Sequence, residues 1–256
     1  MPATRQPLSV AIITLNAASQ LEECLKSARF ADEIVVVDSG STDGTQALAE
    51  RYGARVIAQD WLGFGPQKQF AVEAARHDWV LCLDADERVT PELQASIESA
   101  LVRPGNGAYR FARCNRFLGR YLKHGEGYPD WSLRLFDRQQ ARWSSDAVHE
   151  KVVTDSAIGT LKGDLLHDSA ETLAAYLSKQ NRYTSLAAEM ALHAGKRASF
   201  GRLAFSPVVR FIKFYLIRQG FRDGLPGLIH IAIGCMNSFL KYAKMLEKQL
   251  SNAALR

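Results

Sequence analysis

Two acidic loops, each directly after a strongly apolar segment, carry the residues of this sequence that are best suited to chemistry. Residues 34–37 (Ile-Val-Val-Val) run into Asp38. Residues 79–83 (Trp-Val-Leu-Cys-Leu) run into Asp84-Ala85-Asp86. In open α/β folds, ligands bind at the carboxyl ends of the strands, so both loops are expected at the mouth of a sheet. Two carboxylates one residue apart suit a hard divalent cation that also holds a diphosphate, which favours a metal- and nucleotide-dependent transferase.

The loop at 84–86 has two interpretations. In the first, Asp86, together with Asp84, holds a divalent ion that neutralises the charge developing on a departing nucleoside diphosphate. In the second, the loop is a solvated acidic turn before the next helix, which Thr90-Pro91 predicts as a capped start. The position of the loop after a buried strand, with a second acidic loop nearby, favours the first.

The loop after residues 34–37 is predicted to bind a nucleotide. Asp38 is placed to accept hydrogen bonds from a base or ribose, and Thr14 and Asn16, at the end of the first strand, would flank the same pocket. Ser39 begins a turn of small residues that lets a ligand approach the backbone. The alternative is that this loop only makes a turn and caps the following helix.

Three further basic or amide side chains are candidates for binding the donor. Gln67 and Lys68 open a predicted helix whose first-turn amides would bind phosphate or base. Arg134 lies on an alternating segment, and its guanidinium suits bidentate contact with a diphosphate or with an acceptor. Arg134 would otherwise be an ordinary surface charge.

The elements that position these residues alternate between strand and helix. Apolar runs predict strands at 8–15, 33–37, 56–58 and 79–83, and periodicity predicts helices at 16–29, 45–52, 66–76 and from 91 onward. This order predicts a mostly parallel, doubly wound α/β sheet. Residues 109–113 and 133–136 are typical of antiparallel strands.

The segment from 169 onward is predicted to be helical. A set of apolar residues at helical spacing is expected to form its buried stripe: Leu173, Tyr176, Leu177, Tyr183, Leu186 and Met190. We therefore predict two domains, one covering 1–168 and a helical extension covering 169–256.

The composition is that of a globular protein with an unusual distribution of charge. The 256 residues are 47% hydrophobic and 23% charged, and the four cysteines lack zinc-type spacing. No N-terminal signal peptide is recognisable, which predicts a cytoplasmic protein. Of the net charge of +5, residues 196–256 hold 11 Lys/Arg against two acidic residues, so the rest of the chain is acidic.

This basic tail is predicted to lie on a membrane. Residues 203–222 mix large apolar side chains with four basic ones, and 225–240 are uncharged but interrupted by glycine and proline. Neither stretch qualifies comfortably as a spanning helix, whereas basic charges beside large aromatic and aliphatic side chains suit a helix lying in the headgroup plane of an anionic leaflet. Packing onto the body or into a dimer is the alternative. Because the aromatic residues come in contiguous apolar runs, nucleic-acid binding is disfavoured.

Several motifs together resemble one enzyme family. Residues 14–16 (Thr-Leu-Asn), 36–45 (Val-Val-Asp-Ser-Gly-Ser-Thr-Asp-Gly-Thr) and 83–87 (Leu-Asp-Ala-Asp-Glu) resemble successive motifs of family 2 glycosyltransferases with the GT-A fold. Residues 128–136 and 148–150 (Val-His-Glu) resemble a bacterial subgroup that contains the β-1,4-glucosyltransferases of the lipopolysaccharide inner core. With the helical C-terminal segment, the resemblance covers nearly the whole chain.

The resemblance implies a specific activity and fold. The fold would be GT-A, Rossmann-like, with antiparallel strands on the acceptor side and a C-terminal helical extension. The reaction would be inverting transfer from a UDP-sugar, UDP-glucose by preference, with Mg²⁺ or Mn²⁺, onto a lipid-linked inner-core saccharide such as heptose, at the cytoplasmic face of the inner membrane. Transfer to another envelope glycan is an alternative. A nucleotidyltransferase is a further one, but the sequence lacks a glycine- and lysine-rich loop after the first strand.

The resemblance also bears on the catalytic base and on the metal. Inversion in one displacement needs a single general base. Many family members carry a Glu-Asp pair where this chain has His149-Glu150, so Glu150 is favoured as the base and Asp130 is the alternative. His149 would orient Glu150, touch phosphate or serve the structure. In several GT-A enzymes a late histidine completes the metal shell, which makes His167 a candidate ligand or, equally, a structural residue.

Overall fold

The structure is a computed structural model that describes residues 4–145, 150–169 and 172–254. The chain forms two compact units. The first combines the residues up to 114 with 130–168, and the second combines 115–129 with the segment from 169 onward. One unit boundary coincides with the predicted domain boundary after 168. The difference is that 115–129, which the sequence analysis placed in the first domain, groups with the C-terminal helices.

The first unit is built on strands and on the helices that connect them. Its strands are β1 (Leu8–Thr14), β2 (Glu33–Asp38), β3 (Arg55–Ala58), β4 (Trp79–Asp84), β5 (Glu87–Val89), β6 (Ala108–Phe117, whose last three residues belong to the second unit), β8 (Asp130–Asp137), β9 (Ala141–Trp143), β10 (Val152–Thr154) and β11 (Ile158–His167). Its helices are α1 (Ala18–Ser27), α2 (Thr45–Arg51), α3 (Phe64–Ala74) and α4 (Pro91–Val102). In the second unit, β7 (Arg120–Tyr121) pairs with the end of β6.

The order of the strands confirms the expected α/β class. The main sheet runs β3-β2-β1-β4-β8-β6-β11-β5. β1 to β4 are parallel, whereas β8 runs antiparallel to both β4 and β6. The mostly parallel half and the antiparallel strands beside it match the sequence expectation. The short β5, β9 and β10, and the polar β11, were not predicted because none of them carries a strong apolar alternation.

The apolar core lies on both faces of the parallel strands. Alternate strand residues such as Val10 and Val36 enter one apolar cluster, and their neighbours such as Ala11 and Val35 enter another on the opposite face. The strands are therefore buried on both faces, as the continuous apolar runs predicted. In the register of β1, Thr14 pairs with Asp38 on one side and Ile13 pairs with Asp84 on the other. This pairing brings both acidic loops to the same end of the sheet.

The second unit is helical. It contains α5 (Leu173–His193), α6 (Phe200–Phe211), a π-helical turn (Ile212–Ile217), a 3₁₀ turn (Gly220–Asp223) and α7 (Gly224–Ala254). Asp223 connects residues 115–129 to these helices. Its Oδ2 accepts hydrogen bonds from the backbone N–H groups of Lys123 and His124, at 3.0 and 2.7 Å. Within the described ranges, no helix combines the length and apolarity needed to cross a membrane.

The predicted buried stripe of α5 is wrong. Met190 is 70% exposed, and Leu173, Tyr183 and Leu186 are also exposed, while Tyr176 and Leu177 are half-buried. The residues that α5 buries are instead small, namely Thr184, Ala188 and Ala191. Ala188 and Ala191 pack with Ala198 and Met245 in a small cluster. Small side chains allow close helix packing, so the larger apolar residues are left on the outer face.

Candidate active site

The carboxylate of Asp84, at the end of β4, is held by two basic side chains. The Nζ of Lys68, the fifth residue of α3, lies 3.1 Å from its Oδ1. A guanidinium nitrogen of Arg134, on β8, lies 2.9 Å from its Oδ2. Both basic side chains are only 7% exposed. The antiparallel β8 is adjacent to β4, and this is what brings Arg134 to the acidic loop.

Trp143 covers the two cations. The indole ring of Trp143, at the end of β9, lies 4.9 Å from the Lys68 Nζ and 5.4 Å from the Arg134 Cζ. Such cation–π contacts are attractive because the ring face carries a negative quadrupole. Trp143 therefore limits water at the cations and strengthens their interaction with anionic groups.

The pair of cations belongs to a longer series of alternating charges. In order of contact, the series is Asp130, Arg113, Glu87, Arg134, Asp84, Lys68 and Glu150. The N···O distances along it are 2.8, 3.6, 3.2, 2.9, 3.1 and 3.3 Å in the same order. Each buried cation thus lies between two carboxylates, which offsets the cost of removing these charges from water.

The electrostatic environment shifts the pKa values of two buried carboxyl groups, Asp84 and Glu87, in opposite directions. Burial raises the pKa of Asp84, but the Arg134 guanidinium and the Lys68 ammonium outweigh it and hold that pKa well below its usual range. Burial dominates at the fully enclosed Glu87 and raises its pKa, although Arg134 opposes the effect. The pKa of Arg134 is itself raised by these carboxylates against the effect of its own burial. Asp84 is therefore a permanent anion, whereas Glu87 is the more readily protonated of the two.

Asp86 faces a different partner. Its Oδ2 lies 3.2 Å from the Nε2 of His167, the last residue of β11. The antiparallel pairing of β11 with β5 places His167 opposite Glu87 and so brings the histidine to the acidic loop. Asp86 and His167 are both partly accessible. Within the described residues, no group of three or more Asp, Glu, His or Cys side chains is arranged to hold a metal ion. Asp84, two residues before Asp86, has its carboxylate on Lys68 and Arg134.

The loop after β2 is organised by Asp38. This buried carboxylate accepts hydrogen bonds from five donors on four residues. The donors are Thr14 Oγ1, Gly40 N, Ser41 N, Ser41 Oγ and Gln46 Nε2, at 2.5–3.1 Å. Burial raises the pKa of Asp38, but these hydrogen bonds reverse the effect and leave the pKa lowered. The predicted turn is present, and Asp38 is the residue that holds it.

The other donor-site candidates surround the same loop. Asn16 has a positive φ of 50°, and its Oδ1 accepts the backbone N–H of Thr42 at 2.9 Å. The buried Gln67 donates from Nε2 to Ser39 Oγ at 3.0 Å. Thr14, Asn16, Ser39 and Gln67 therefore belong to one hydrogen-bonded group around Asp38.

Glu150 reaches the site from the loop between β9 and β10. Its Oε1 lies 3.3 Å from the Lys68 Nζ, and its side chain is 23% exposed. Gly65, in the first turn of α3, allows this approach, because a Cβ there would collide with the carbonyl oxygen of Ser144 and lie 3.4 Å from the Cβ of Glu150. His149 lies outside the described residues.

Asp130 is held more firmly than Glu150. The Oδ2 of Asp130 accepts from both Nε and a terminal nitrogen of Arg113, at 2.9 and 2.8 Å. The structure thus places both candidate bases in one charge series, at its two ends. Sequence reasoning did not assign a role to Glu87, Arg113 or Trp143. The signal for them in the sequence was weak, since only Glu87 lies within a recognised motif.

Comparison with known proteins identifies the class. A model of the family described as Glycosyl transferase family 2 matches residues 9–158, which is more than half of the chain. The chain therefore belongs to family 2 of the glycosyltransferases and is an enzyme of that class.

The most informative similarity is to a named enzyme. The chain is 34% identical over 255 residues to the lipopolysaccharide core biosynthesis glycosyltransferase LpsC of Rhizobium meliloti (strain 1021), covering 96% of this chain and 94% of LpsC. It is also 32% identical over 273 residues to an uncharacterized glycosyltransferase of Rickettsia bellii (strain RML369-C), covering 97% and 90% of the two chains. The enzyme is thus related to a glycosyltransferase of lipopolysaccharide core synthesis.

Solved structures show more distant similarities. TarS 1–349 of S. aureus in complex with UDP is 15% identical, with 96% of this chain and 92% of that chain covered and a TM-score of 0.49. Glucosyl-3-phosphoglycerate synthase from Mycobacterium tuberculosis, in complex with Mn²⁺, UDP and glucosyl-3-phosphoglycerate, is 18% identical, with 76% and 82% covered and a TM-score of 0.49. The family assignment rests on the family model and on LpsC.

Proposed function

We propose that this enzyme is an inverting, metal-dependent glycosyltransferase that moves glucose from UDP-glucose onto a heptose of the lipopolysaccharide inner core. The observation that carries the proposal is the pair of buried cations, Lys68 and Arg134, around Asp84 at the carboxyl end of β4. A departing nucleoside diphosphate is an anion, and cations fixed in advance stabilise charge at the point where it develops. The likeness to LpsC supports the choice of a lipopolysaccharide core acceptor.

The nucleoside of the donor is assigned to the group around Asp38. Thr14, Asn16 and Ser39 lie at the carboxyl ends of β1 and β2, and Gln67 hydrogen-bonds to Ser39. Asp38 already accepts from five donors, so its first role is to hold the loop that meets the base and ribose. The diphosphate is assigned to Lys68 and Arg134, whose contacts with Asp84 it would partly replace.

The residues of the acidic loop fit Mg²⁺ or Mn²⁺. Asp86 offers carboxylate oxygens, and His167, 3.2 Å away, offers an imidazole nitrogen, a donor set suited to Mn²⁺ in particular. When bound, the ion supplies positive charge to the leaving diphosphate. Asp84 would join as a third ligand only by giving up contacts with Lys68 and Arg134, so its main role is to keep these two cations in place.

Glu150 is proposed as the general base. Its single basic neighbour in the charge series is Lys68, whereas both the Nε and a terminal nitrogen of Arg113 hold the same oxygen of Asp130. A carboxylate that must accept a proton from a hydroxyl works best with an oxygen free to face the acceptor.

The choice between the two carboxylates is tested by a pair of isosteric variants. We expect Glu150→Gln to lose transfer by about 10²–10⁴-fold, the usual contribution of a general base, while UDP-glucose still binds. Asp130→Asn, the matched change at the other end of the series, should retain most of the activity. Normal turnover by Glu150→Gln together with an inactive Asp130→Asn would exchange the two roles.

The donor is tested by thermal shift. Nucleotide sugars are screened with and without Mn²⁺, and UDP-glucose is expected to raise Tm more than GDP-mannose or ADP-glucose, and more strongly with the metal. Equal shifts for all of these nucleotides, or stabilisation by none of them, would contradict the assignment of the donor. Transfer to a heptose-terminated core acceptor is then followed by mass spectrometry.

We further propose that the C-terminal unit binds the anionic cytoplasmic surface of the inner membrane. Along α6 and the π-helical turn, five apolar residues repeat at helical spacing and are exposed: Phe205, Val208, Val209, Ile212 and Leu216. The exposed basic residues Lys213, Arg218 and Arg222 adjoin this stripe. An apolar face flanked by basic charge is complementary to an anionic lipid surface, where each basic residue adds on the order of 1 kcal/mol.

Vesicle sedimentation tests this surface. The full chain should pellet with vesicles that contain phosphatidylglycerol and remain free with phosphatidylcholine alone. The double variant Phe205→Ser/Ile212→Ser should reduce pelleting several-fold, whereas the control Leu250→Ser, which changes an exposed leucine near the end of α7, should not. Equal pelleting of all three proteins would contradict the proposal.

A further inference from the structure

Lys68 is shared between two carboxylates that have different roles in the proposed reaction. Its Nζ lies 3.1 and 3.3 Å from the two carboxylate oxygens of Asp84, and 3.3 Å from Oε1 of Glu150. An ammonium group has three N–H donors, and three carboxylate oxygens already lie within reach of them. The side chain is only 7% exposed and is covered by Trp143, so few other groups can approach it. A diphosphate that binds Lys68 must therefore displace a carboxylate oxygen.

The contact with Glu150 is the one that can be exchanged at the lower cost. Asp84 ends β4 and is also held by Arg134, which lies 2.9 Å from its Oδ2. Among the described residues, in contrast, Lys68 is the one partner of the Glu150 carboxylate. An anion that draws Lys68 toward itself would therefore release Glu150 before it released Asp84.

The main chain beside Glu150 is held independently of Lys68. Ser144 N donates to the carbonyl oxygen of Lys151 at 2.8 Å, and Lys151 N donates to Ser144 Oγ at 3.2 Å. These bonds fix the residue that follows Glu150 whether or not its carboxylate is paired. Loss of the Lys68 contact would therefore free an oxygen of Glu150 while the neighbouring main chain stays in position.

We propose that Lys68 is a positioning residue for Glu150 that couples donor binding to release of the base. In the free enzyme Lys68 holds the Glu150 carboxylate, and the donor diphosphate takes this N–H donor and leaves Glu150 free to accept the proton of the acceptor hydroxyl. The inference rests on the proposed function, from which it takes the diphosphate at Lys68 and the base at Glu150, and it adds the regulation of that site.

The coupling can be measured by binding alone because it is reciprocal. If the diphosphate weakens the contact between Lys68 and Glu150, then Glu150 must weaken the binding of the diphosphate by the same factor. An anion that competes for Lys68 is thus expected to lower the affinity of the enzyme for UDP. Removing the charge of that anion should raise the affinity.

The test titrates UDP into the full chain by calorimetry at a fixed concentration of Mn²⁺. We expect Glu150→Gln to tighten the Kd for UDP by about three- to tenfold, because the amide carries no charge that competes for Lys68. The Kd for uridine, which has no phosphate, should not change. The matched control is Glu73→Gln, which removes an exposed charge from α3, the helix of Lys68, and should bind UDP as the wild type does.

A second pair of variants separates coupling through Lys68 from a simple loss of negative charge. In the background Lys68→Met, or Lys68→Gln if the methionine variant is unstable, Glu150→Gln should leave the Kd for UDP unchanged. Ligand-observed NMR extends this measurement to millimolar Kd. In Lys68→Arg, which keeps a cation at this position, Glu150→Gln should again tighten the Kd. Glu150→Ala, which also lacks the charge, gives the same comparisons if Glu150→Gln is unstable.

Two results would overturn the coupling while UDP binding by the wild type stands. One is an unchanged or weaker Kd for UDP in Glu150→Gln. The other is equal tightening with and without Lys68, which would show that the diphosphate senses only the charge of Glu150. No binding of UDP to the wild type would instead overturn the proposed function, and the coupling with it, so the two failures are distinguishable.

Discussion

The loops after β2 and β4 hold their carboxylates in contrasting ways. Both carboxylates lie beside the end of β1, where the register pairs Thr14 with Asp38 and Ile13 with Asp84. Asp38 is surrounded by uncharged donors, namely hydroxyls, backbone amides and a glutamine amide. Asp84 is surrounded by two nearly buried cations.

The difference supports the roles proposed for the two loops. Neutral hydrogen bonds fix one geometry, so Asp38 shapes a turn that a nucleoside would meet. Ion pairs, in contrast, change when another charged group arrives. Asp84 belongs to the charge series that extends to both candidate bases, Glu150 and Asp130. An arriving diphosphate would therefore act on the second loop through the cations it shares with Asp84.

The strongest test of this contrast is Asp84→Asn. The amide would leave Lys68 and Arg134 without an opposing charge at this position, and breaking a buried ion pair typically costs about 3–5 kcal/mol. We expect the free energy of unfolding in urea to fall by about 3 kcal/mol. We also expect kcat/KM for transfer to fall by about 10²–10³-fold, as when one electrostatic stabiliser is removed.

The control for Asp84→Asn is the same change at Asp78, which pairs with Arg138 at the surface. Its effect on unfolding should stay within about 0.5 kcal/mol, as is usual for exposed pairs. Equal destabilisation by the two changes would show that the buried cations do not depend on Asp84.

Asp38→Asn should have a smaller effect. Two of the groups that meet Asp38 Oδ2 are hydroxyls of Thr14 and Ser41, which can turn and accept from the new amide. We expect the loss in unfolding free energy to be about 1 kcal/mol, the ordinary range for a neutral hydrogen bond. Urea titration of the two Asp→Asn variants side by side measures the difference, and a larger loss at 38 than at 84 would reverse our interpretation.

Acid titration should show the smallest of the expected differences between Asp38 and Asp84. The pKa values of Asp38 and Asp84 are both lowered by folding, so their contribution to stability is present above the unfolded value of about 4 and is lost as pH falls toward the folded values. Glu87, whose pKa is raised, acts with the opposite sign and adds stability at low pH. Urea midpoints from pH 6 to 3 should fall less steeply in Asp84→Asn than in the wild type, with Asp38→Asn in between. Parallel curves for all three proteins would contradict this.

The sequence predicts the first half of the molecule better than the rest. Apolar runs ending in Asp38 and Asp84 identify buried parallel strands, because few other structures place such runs before acidic turns. The ion pairs of Asp84 and Asp86 could not be foreseen in the same way. They depend on the antiparallel neighbours β8 and β11, which bring Arg134 and His167 from distant positions in the chain.

In the helical region, the sequence predicted the wrong buried face of α5. Large apolar residues of α5, such as Met190, were expected inside and lie outside, since the contact is made by small residues such as Ala188 and Ala191. Periodicity identifies a face of a helix, but burial depends on which face allows the closest approach. Residues 115–129 group with this unit through Asp223, a contact about 100 residues away in sequence.

Calorimetric titration with UDP-glucose in the presence of Mn²⁺, paired with an assay of sugar transfer, tests the central claim most directly. The wild type should bind the nucleotide sugar and transfer glucose, and Asp84→Ala/Asp86→Ala should lose transfer and most of the binding that depends on Mn²⁺. Undiminished transfer by the double variant, or no uptake of nucleotide by the wild type, would contradict the account.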